Sequence, residues 1–189
     1  MDRYSTFWPR LCAGFLDGLV LSPISMAAPY LSQPNHGTIF LICWSIFATS
    51  AYYVYSVWMH ARYGQTLGKK WLGVQVLDVA EGRIPTLWQA FLRDIGDIVP
   101  SALGLCYTIY LILTHHYSPA VLEASLFLSI VGWSNTGWFL LEIGTMLTNH
   151  KHRALHDLIA RTVVVRTEHY TLEEGLGLSA QNSNPTNVA

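Results

Sequence analysis

Carboxylates stand inside segments that are otherwise long and apolar enough to cross a lipid bilayer. Asp17 lies in an apolar run at 11–30, and Asp97 and Glu142 lie in two later runs. A charged side chain within such a segment costs roughly 2.5–3.5 kcal/mol on insertion scales, and intramembrane carboxylates commonly mark ion or proton routes. The chemistry that these residues indicate is reversible binding of a proton or a monovalent cation.

Helical periodicity places Asp17 on one stripe with Arg10, Gly14 and Gly18. Gly14 and Gly18 form a GxxxG pair, a spacing that lets two membrane helices approach closely. We therefore predict that Asp17 faces protein, with Arg10 two turns away as its charge partner.

The third and fourth runs carry further polar residues that share helix faces. Asp94 and Asp97 are roughly aligned, and Asn135 and Glu142 are separated by two helical turns. A four-helix bundle would bring them together as a polar seam that conducts cations or protons, and its members would be Asp17, Asp97, Asn135 and Glu142. Asp17 would be the exchanging carboxylate, with Glu142 and Asp97 as secondary members.

A structural role for the same charges is the alternative. Arg10, Arg93 and the carboxylates would then form an ion-pair network near the inner membrane interface. The i,i+4 spacing of Arg93 and Asp97 suits such a network. Both interpretations stay open at this point.

Composition and patterning predict four spans, at about 11–30, 38–59, 95–114 and 118–148. Of the 189 residues, 51% are hydrophobic and only 12% are charged, about half the usual charged fraction of roughly 25%. The net charge of −1 gives no indication of a nucleic-acid partner. A cleaved signal peptide over residues 1–28 is the competing interpretation of the first run.

The basic residues predict the orientation. All 11 lysines and arginines precede span one, lie between spans two and three, or follow span four. Because positive charge is retained on the cytoplasmic side, both termini and the loop at 60–93 are expected there.

The cytoplasmic segments are patterned rather than featureless. Valine alternation at 73–78 and at 162–166 predicts two strands that pair as a ribbon. Thr86 and Gln89 match a capping box that begins an amphipathic interfacial helix, and this helix could run directly into span three. The predicted fold class is an all-α membrane protein, a four-transmembrane-helix bundle with a small cytoplasmic two-stranded β cap. One domain covers 1–170, including the cytoplasmic segment 149–170, and 171–189 is expected to be disordered.

Three other functions have weak sequence support. The stretch from Gly64 to Lys70 departs from a phosphate-binding loop in both its glycine spacing and its residue after the lysine. The histidines at 150, 152 and 156 lack an HExxH pattern, so no metal is expected. No nucleophile–base pair can be assembled, so neither an enzyme nor a cofactor is expected.

Four features in order resemble the RDD family of small membrane proteins, named for one arginine and two aspartates. They are Arg10 before span one, Asp17 within it, GQTLGKKWLGVQVLD in the central loop and LHDLIARTVVV after the last span. The resemblance assigns the family's arginine to Arg10 and its first aspartate to Asp17, and the second to Asp157 or, failing that, Asp94. The loop motif contributes Gly64, Gln65, Thr66, Gly68 and Lys69.

The resemblance implies a membrane protein of the bacterial inner membrane with a role in transport, cation/proton exchange among the suggested activities. It also leads us to expect that the Asp157 carboxylate forms an ion pair with Arg10 or Lys69. Four spans are few for a transporter, so a homo-oligomer or a membrane-protein partner is expected. The alternative is a non-transporting scaffold within a larger complex.

Overall fold

The structure of the protein is a computed structural model that describes residues 3–148 and 151–167. The tail expected to be disordered and His150 lie outside the described residues. Seven helices and two strands occur in the described chain, in this order: α1 Phe7–Leu31, α2 Thr38–Tyr63, α3 Leu67–Trp71, β1 Val74–Asp78, α4 Leu87–Leu113, α5 Pro119–Ala124, α6 Leu126–Thr148, α7 Leu155–Ile159 and β2 Thr162–Arg166.

Four of the described helices, α1, α2, α4 and α6, are long and apolar enough to cross a membrane. Three of them are longer than predicted at the end nearest the strands. Helix α1 begins at Phe7 and α2 extends to Tyr63. The predicted interfacial helix and span three are one helix, α4, which begins at the predicted capping box of Thr86 and Gln89. The expectation that the capped helix could continue directly into span three is confirmed, because no residue near position 95 ends the helix.

The fourth run is broken, where a single span over 118–148 was predicted. Ser118 caps α5 and Pro119 is its first residue, as expected. The backbone of Ser125 is extended, and its hydroxyl accepts a hydrogen bond from the Leu128 amide at 3.4 Å. Ser125 therefore ends α5 and caps the N-terminus of α6, because serine competes well for free amides at helix starts.

Helix α4 lies at the centre of the bundle. It packs against α2 on one side and α6 on the other, while α1 rests on α3 and α2. Helices α1 and α6 share no extensive packing in the described chain. Most of the large apolar side chains on the four long helices face outward, as expected for lipid-facing surfaces.

The two predicted strands pair as an antiparallel ribbon, and the prediction is confirmed. Val74 lies opposite Arg166, and Asp78 lies opposite Thr162. Six apolar side chains of the ribbon are almost completely buried: Val74, Val76, Leu77, Val163, Val164 and Val165. A two-stranded ribbon is marginal by itself, so burial of both faces is what stabilises this one.

The N-terminal segment helps to cover the ribbon. Tyr4 packs on the cluster of Leu77, Val163 and Val165. The Arg166 amide donates to the Arg3 carbonyl at 3.2 Å, and its side chain donates to the Ser5 carbonyl at 3.0 Å. These contacts hold the start of α1 beside the ribbon, and we call this side of the molecule the ribbon end.

Candidate functional site

A buried ion-pair cluster joins α1, α4 and α7 at the ribbon end. Arg10 donates to Asp157 Oδ2 at 2.6 Å, and Arg93 Nη1 lies 2.7 Å from Asp157 Oδ1. The Asp157 side chain is fully buried and the two arginines are nearly so. We call Arg10, Arg93 and Asp157 the arginine–aspartate cluster, and its Arg10–Asp157 contact confirms the pair implied by the family resemblance.

Asp157 has further donors besides the two guanidinium groups. The Ala154 amide donates to Oδ2 at 3.1 Å, so Asp157 also caps the short helix α7. The Thr162 hydroxyl donates to Oδ1 at 3.2 Å and links the cluster to β2. Burial alone would raise the pKa of Asp157, but the Arg10 and Arg93 charges hold that pKa well below its usual range. The carboxylate is therefore ionised, and both of its oxygens are occupied by ion pairs and hydrogen bonds within the protein.

His156 extends the cluster toward α6. Its Nε2 lies 3.1 Å from Arg10 and 3.0 Å from Arg93. Guanidinium groups only donate, so Nε2 accepts and the ring proton is on Nδ1. That nitrogen contacts the Glu142 carboxylate. His156 therefore connects Glu142 on α6 with the two arginines.

Asp17 has a different set of partners from the one predicted. Its two carboxylate oxygens accept hydrogen bonds from the Tyr55 hydroxyl at 2.8 Å, the Thr66 hydroxyl at 2.5 Å and the Gly68 amide at 2.9 Å. The side chain is buried and receives no contact from Arg10 among the described hydrogen bonds and ion pairs. Asp17 therefore fastens the start of α3 to α1, and its expected pairing with Arg10 was wrong.

The loop motif supplies the residues that this attachment needs. Gly64 ends α2 with a φ of +69°, a conformation that suits glycine. At Gly68, an added Cβ would collide with the Ala13 carbonyl, so only glycine lets α3 lie this close to α1. Gln65 is half-buried beside them. The motif is thus a docking segment for α1 rather than a phosphate loop.

Lys69 projects from α3 to His60, a residue predicted to lie in the loop but buried within α2. His60 Nδ1 lies 2.8 Å from the Ser56 carbonyl, which only accepts, so Nδ1 carries the proton. Nε2 therefore accepts from the Lys69 ammonium at 2.6 Å. Burial, then the positive charges of Arg93 and Arg10, lower the pKa of Lys69 to about 7.

The structure corrects two further expectations, one about an ion pair and one about a helix contact. Arg93 pairs with Asp157, so the Arg93–Asp97 pair suggested for the alternative ion-pair network is not formed. Gly14 and Gly18 have no described atom within 4 Å of an added Cβ, so the GxxxG pair packs against no described helix. Between the described long helices, a close glycine contact occurs instead at Gly96 on α4, against the ring of Trp138 on α6.

A cavity of about 820 Å³ adjoins these contacts, and residues from α1, α2, α3, α4, α6 and α7 line it. Its carboxylates are Asp17, Asp94, Asp97 and Glu142. Asp94 Oδ2 is buried and has no hydrogen-bond partner in the described part of the chain. Within that part, the hydrogen bonds and ion pairs do not engage the Asp97 carboxylate either, although its backbone carbonyl accepts from Tyr53 at 3.2 Å.

The predicted polar seam is thus formed in part. Asp17, Asp97 and Glu142 reach one cavity, but Asn135 is not among its lining residues. The Asn135 side-chain oxygen is buried without a partner among the described residues. Asp94, which was predicted to share a helix face with Asp97 and was offered as the alternative family aspartate, also lines this cavity.

Sequence reasoning missed the pairing of Lys69 with His60 and the bridging position of His156. One available signal was the spacing of Ser56 and His60, one helical turn apart at the end of a span. A second signal was the position of His156 immediately before Asp157, which indicates that the histidine could join the ion pair predicted for Asp157. Neither pattern specifies its long-range partner.

Four long apolar helices with a buried charge cluster at one end define a polytopic membrane-type protein. The family model of the RDD family matches residues 4–161, which is most of the chain, and the protein belongs to that family. No curated protein and no solved structure matches the chain.

Proposed function

We propose that this protein exchanges a monovalent cation for protons across the bacterial inner membrane, with Asp94 and Asp97 as the exchanging carboxylates. The observation that carries the proposal is the unpartnered, buried Asp94 oxygen beside an 820 Å³ cavity. A buried charged oxygen without a partner is costly, so a proton or cation would stabilise it.

The other carboxylates of the cavity are less suited to exchange. Asp17 accepts three hydrogen bonds, and Glu142 is engaged by His156. Displacing those donors would loosen α3 or separate α6 from α7. Asp17, which the sequence favoured as the exchanging group, is therefore proposed as a positioning residue.

Proton-gradient dissipation in inside-out membrane vesicles tests this proposal. Addition of Na⁺, Li⁺ or K⁺ to wild-type vesicles should collapse part of the gradient, and Asp97→Asn and Asp94→Asn should abolish the response. Glu123→Gln, which removes an exposed carboxylate on α5, is the matched control and should respond as wild type. A response that both aspartate variants retain at equal protein abundance would contradict the assignment.

A non-transporting scaffold within a membrane complex is the second candidate function. It is favoured by α6, whose most apolar stretch has no buried residue in the described chain, and by the unpacked Gly14 and Gly18. Such faces suit a second copy or another membrane protein. Cysteine cross-linking along α6 in native membranes tests it: a specific cross-linked product together with intact vesicles that never respond to cations would favour the scaffold.

A further inference from the structure

The cavity is much larger than an alkali ion requires. Its volume of about 820 Å³ lies within the roughly 300–1,000 Å³ range of small-molecule sites. Most of the lining surface is apolar, and seven of the lining residues are charged: Arg10, Asp17, Lys69, Arg93, Asp94, Asp97 and Glu142. An apolar lining with placed polar groups is typical of a site that encloses and orients an organic ligand.

Three aromatic side chains from different helices line the cavity. They are Phe15 on α1, Tyr52 on α2 and Phe139 on α6. Aromatic faces of this kind attract organic cations through their ring quadrupoles. The rings come from three different helices, so a ligand among them would contact both sides of the cavity.

The carboxylates at the cavity outnumber its lysine and arginine cations. Arg10, Arg93 and Lys69 are the three cations, whereas Asp17, Asp94, Asp97, Glu142 and the adjoining Asp157 are five carboxylates. Asp94 and Asp97 have no ion-pair partner within 4 Å in the described ranges. A cationic headgroup therefore complements this site better than an anionic one.

We propose that the cavity binds an organic cation with an apolar body, held by Asp94 and Asp97 and enclosed by Phe15, Phe139 and Tyr52. The inference rests on the proposed function, because it assigns a substrate class to the same carboxylates. Helices α1 and α6 both line the cavity but share no extensive packing among the described residues, so we expect the ligand to enter between them from the bilayer.

Binding of tetraphenylphosphonium to the purified full-length protein in nanodiscs tests the inference, with empty nanodiscs as the background. Wild type should bind saturably, and Asp97→Asn should lose that binding. The double variant Phe15→Ala/Phe139→Ala should bind about tenfold more weakly, the size expected for losing desolvated cation–aromatic contacts. Glu123→Gln and Phe40→Ala remove an exposed carboxylate and an exposed ring outside the cavity, and both should match wild type.

Absence of saturable binding to wild type overturns the inference, as does equal affinity in Asp97→Asn. If Asp97→Asn fails to elute as a folded protein, the phenylalanine double variant decides in its place. Unchanged affinity in that variant then overturns the inference.

The vesicle assay separates this inference from the proposed exchange. Alkali-driven proton movement without tetraphenylphosphonium binding overturns the organic-cation site and leaves the exchange intact. Specific binding without proton movement for any cation supports the site and overturns the exchange.

Discussion

Asp157 accepts hydrogen bonds or ion pairs from four described residues, Arg10, Arg93, Ala154 and Thr162. These donors come from α1, α4, the start of α7 and β2. The Asp157 side chain therefore links α1 and α4 to α7 and the ribbon. We expect the stability of the fold to depend on its charge more than on its size.

Asp157→Asn should destabilise the folded protein by about 3–5 kcal/mol, because it leaves two buried guanidinium charges uncompensated. Thermal unfolding of the detergent-solubilised protein, followed by loss of its monodisperse elution peak, measures the effect. Arg83→Gln is the control, since Arg83 pairs with Asp78 at an exposed position and its removal should cost less than about 1 kcal/mol. Similar midpoints for the two variants would contradict a structural role for the Asp157 charge.

Lys69 should make stability depend on pH. Its pKa falls from 10.5 to about 7 on folding. Below about pH 7 the lysine is protonated in both the folded and the unfolded state, and the free-energy cost of burying its charge is fully present. Between that pH and 10.5 the unfolded chain binds more protons, so stability rises with pH.

The unfolding midpoint of wild type should therefore increase from about pH 7 to about pH 9. Lys69→Gln should flatten this increase, and Lys70→Gln, an exposed neighbour, should retain it. Equal pH slopes in the two variants would show that Lys69 keeps an ordinary pKa.

At the scale of elements, α3 is too short to be stable alone. It has five residues, fewer than the roughly 12–15 at which isolated helices become even marginal. Asp17 and Tyr55 hold its start, and the close approach at Gly68 lets it lie on α1. The docking of α3 in turn positions Lys69 against His60.

Asp17→Ala should release α3 and expose the backbone near Lys69 to protease. Loss of three hydrogen bonds to a buried carboxylate should accelerate tryptic cleavage there by about tenfold or more. Ser22→Ala is the matched control on the same helix, because the described hydrogen bond of the Ser22 hydroxyl is to the Leu19 carbonyl. An unchanged cleavage rate in Asp17→Ala would contradict the attachment.

Gly96 should be the glycine of α4 that tolerates substitution least. A Cβ at this position would overlap the Trp138 ring, so Gly96→Ala should destabilise the α4–α6 contact by about 1–3 kcal/mol. Gly132→Ala on α6 meets open space and should be neutral or slightly stabilising. Detergent melting curves of the two variants provide the comparison, and equal midpoints would refute the close contact.

Local elements were well determined by sequence, for identifiable reasons. The Thr86–Gln89 capping box, the Ser118–Pro119 start and the two valine-rich strands each depend on neighbouring residues. The break at Ser125 escaped prediction because the apolar run continues through it, and a serine within such a run gives little sign of which carbonyls and amides it will satisfy.

At the scale of the whole molecule, the number of long apolar helices was predictable but the charge partners were not. Arg10 was assigned to Asp17 because both share a helix stripe, whereas its partner lies far along the chain. Helical periodicity gives the face of a residue and no information about which distant element covers it. The same limit applies to Arg93 and to the glycine pair on α1.

The expected orientation is testable with single cysteines in a variant that lacks Cys12, Cys43 and Cys106. Lys70→Cys should react with a membrane-impermeant maleimide only in inside-out vesicles, because basic segments remain cytoplasmic. His115→Cys, in the link after α4, should react only from the opposite side. Labelling of both positions from one side would contradict the four-span topology.

The ribbon also constrains how the protein is made. Strand β1 leaves the ribosome before α4, α5, α6 and α7, but its partner β2 follows all of them. At roughly 5–20 residues per second, β1 waits several seconds for that partner. Its buried valines are exposed to water or to chaperones during this interval, so the cap closes only after the last long helix has been synthesised.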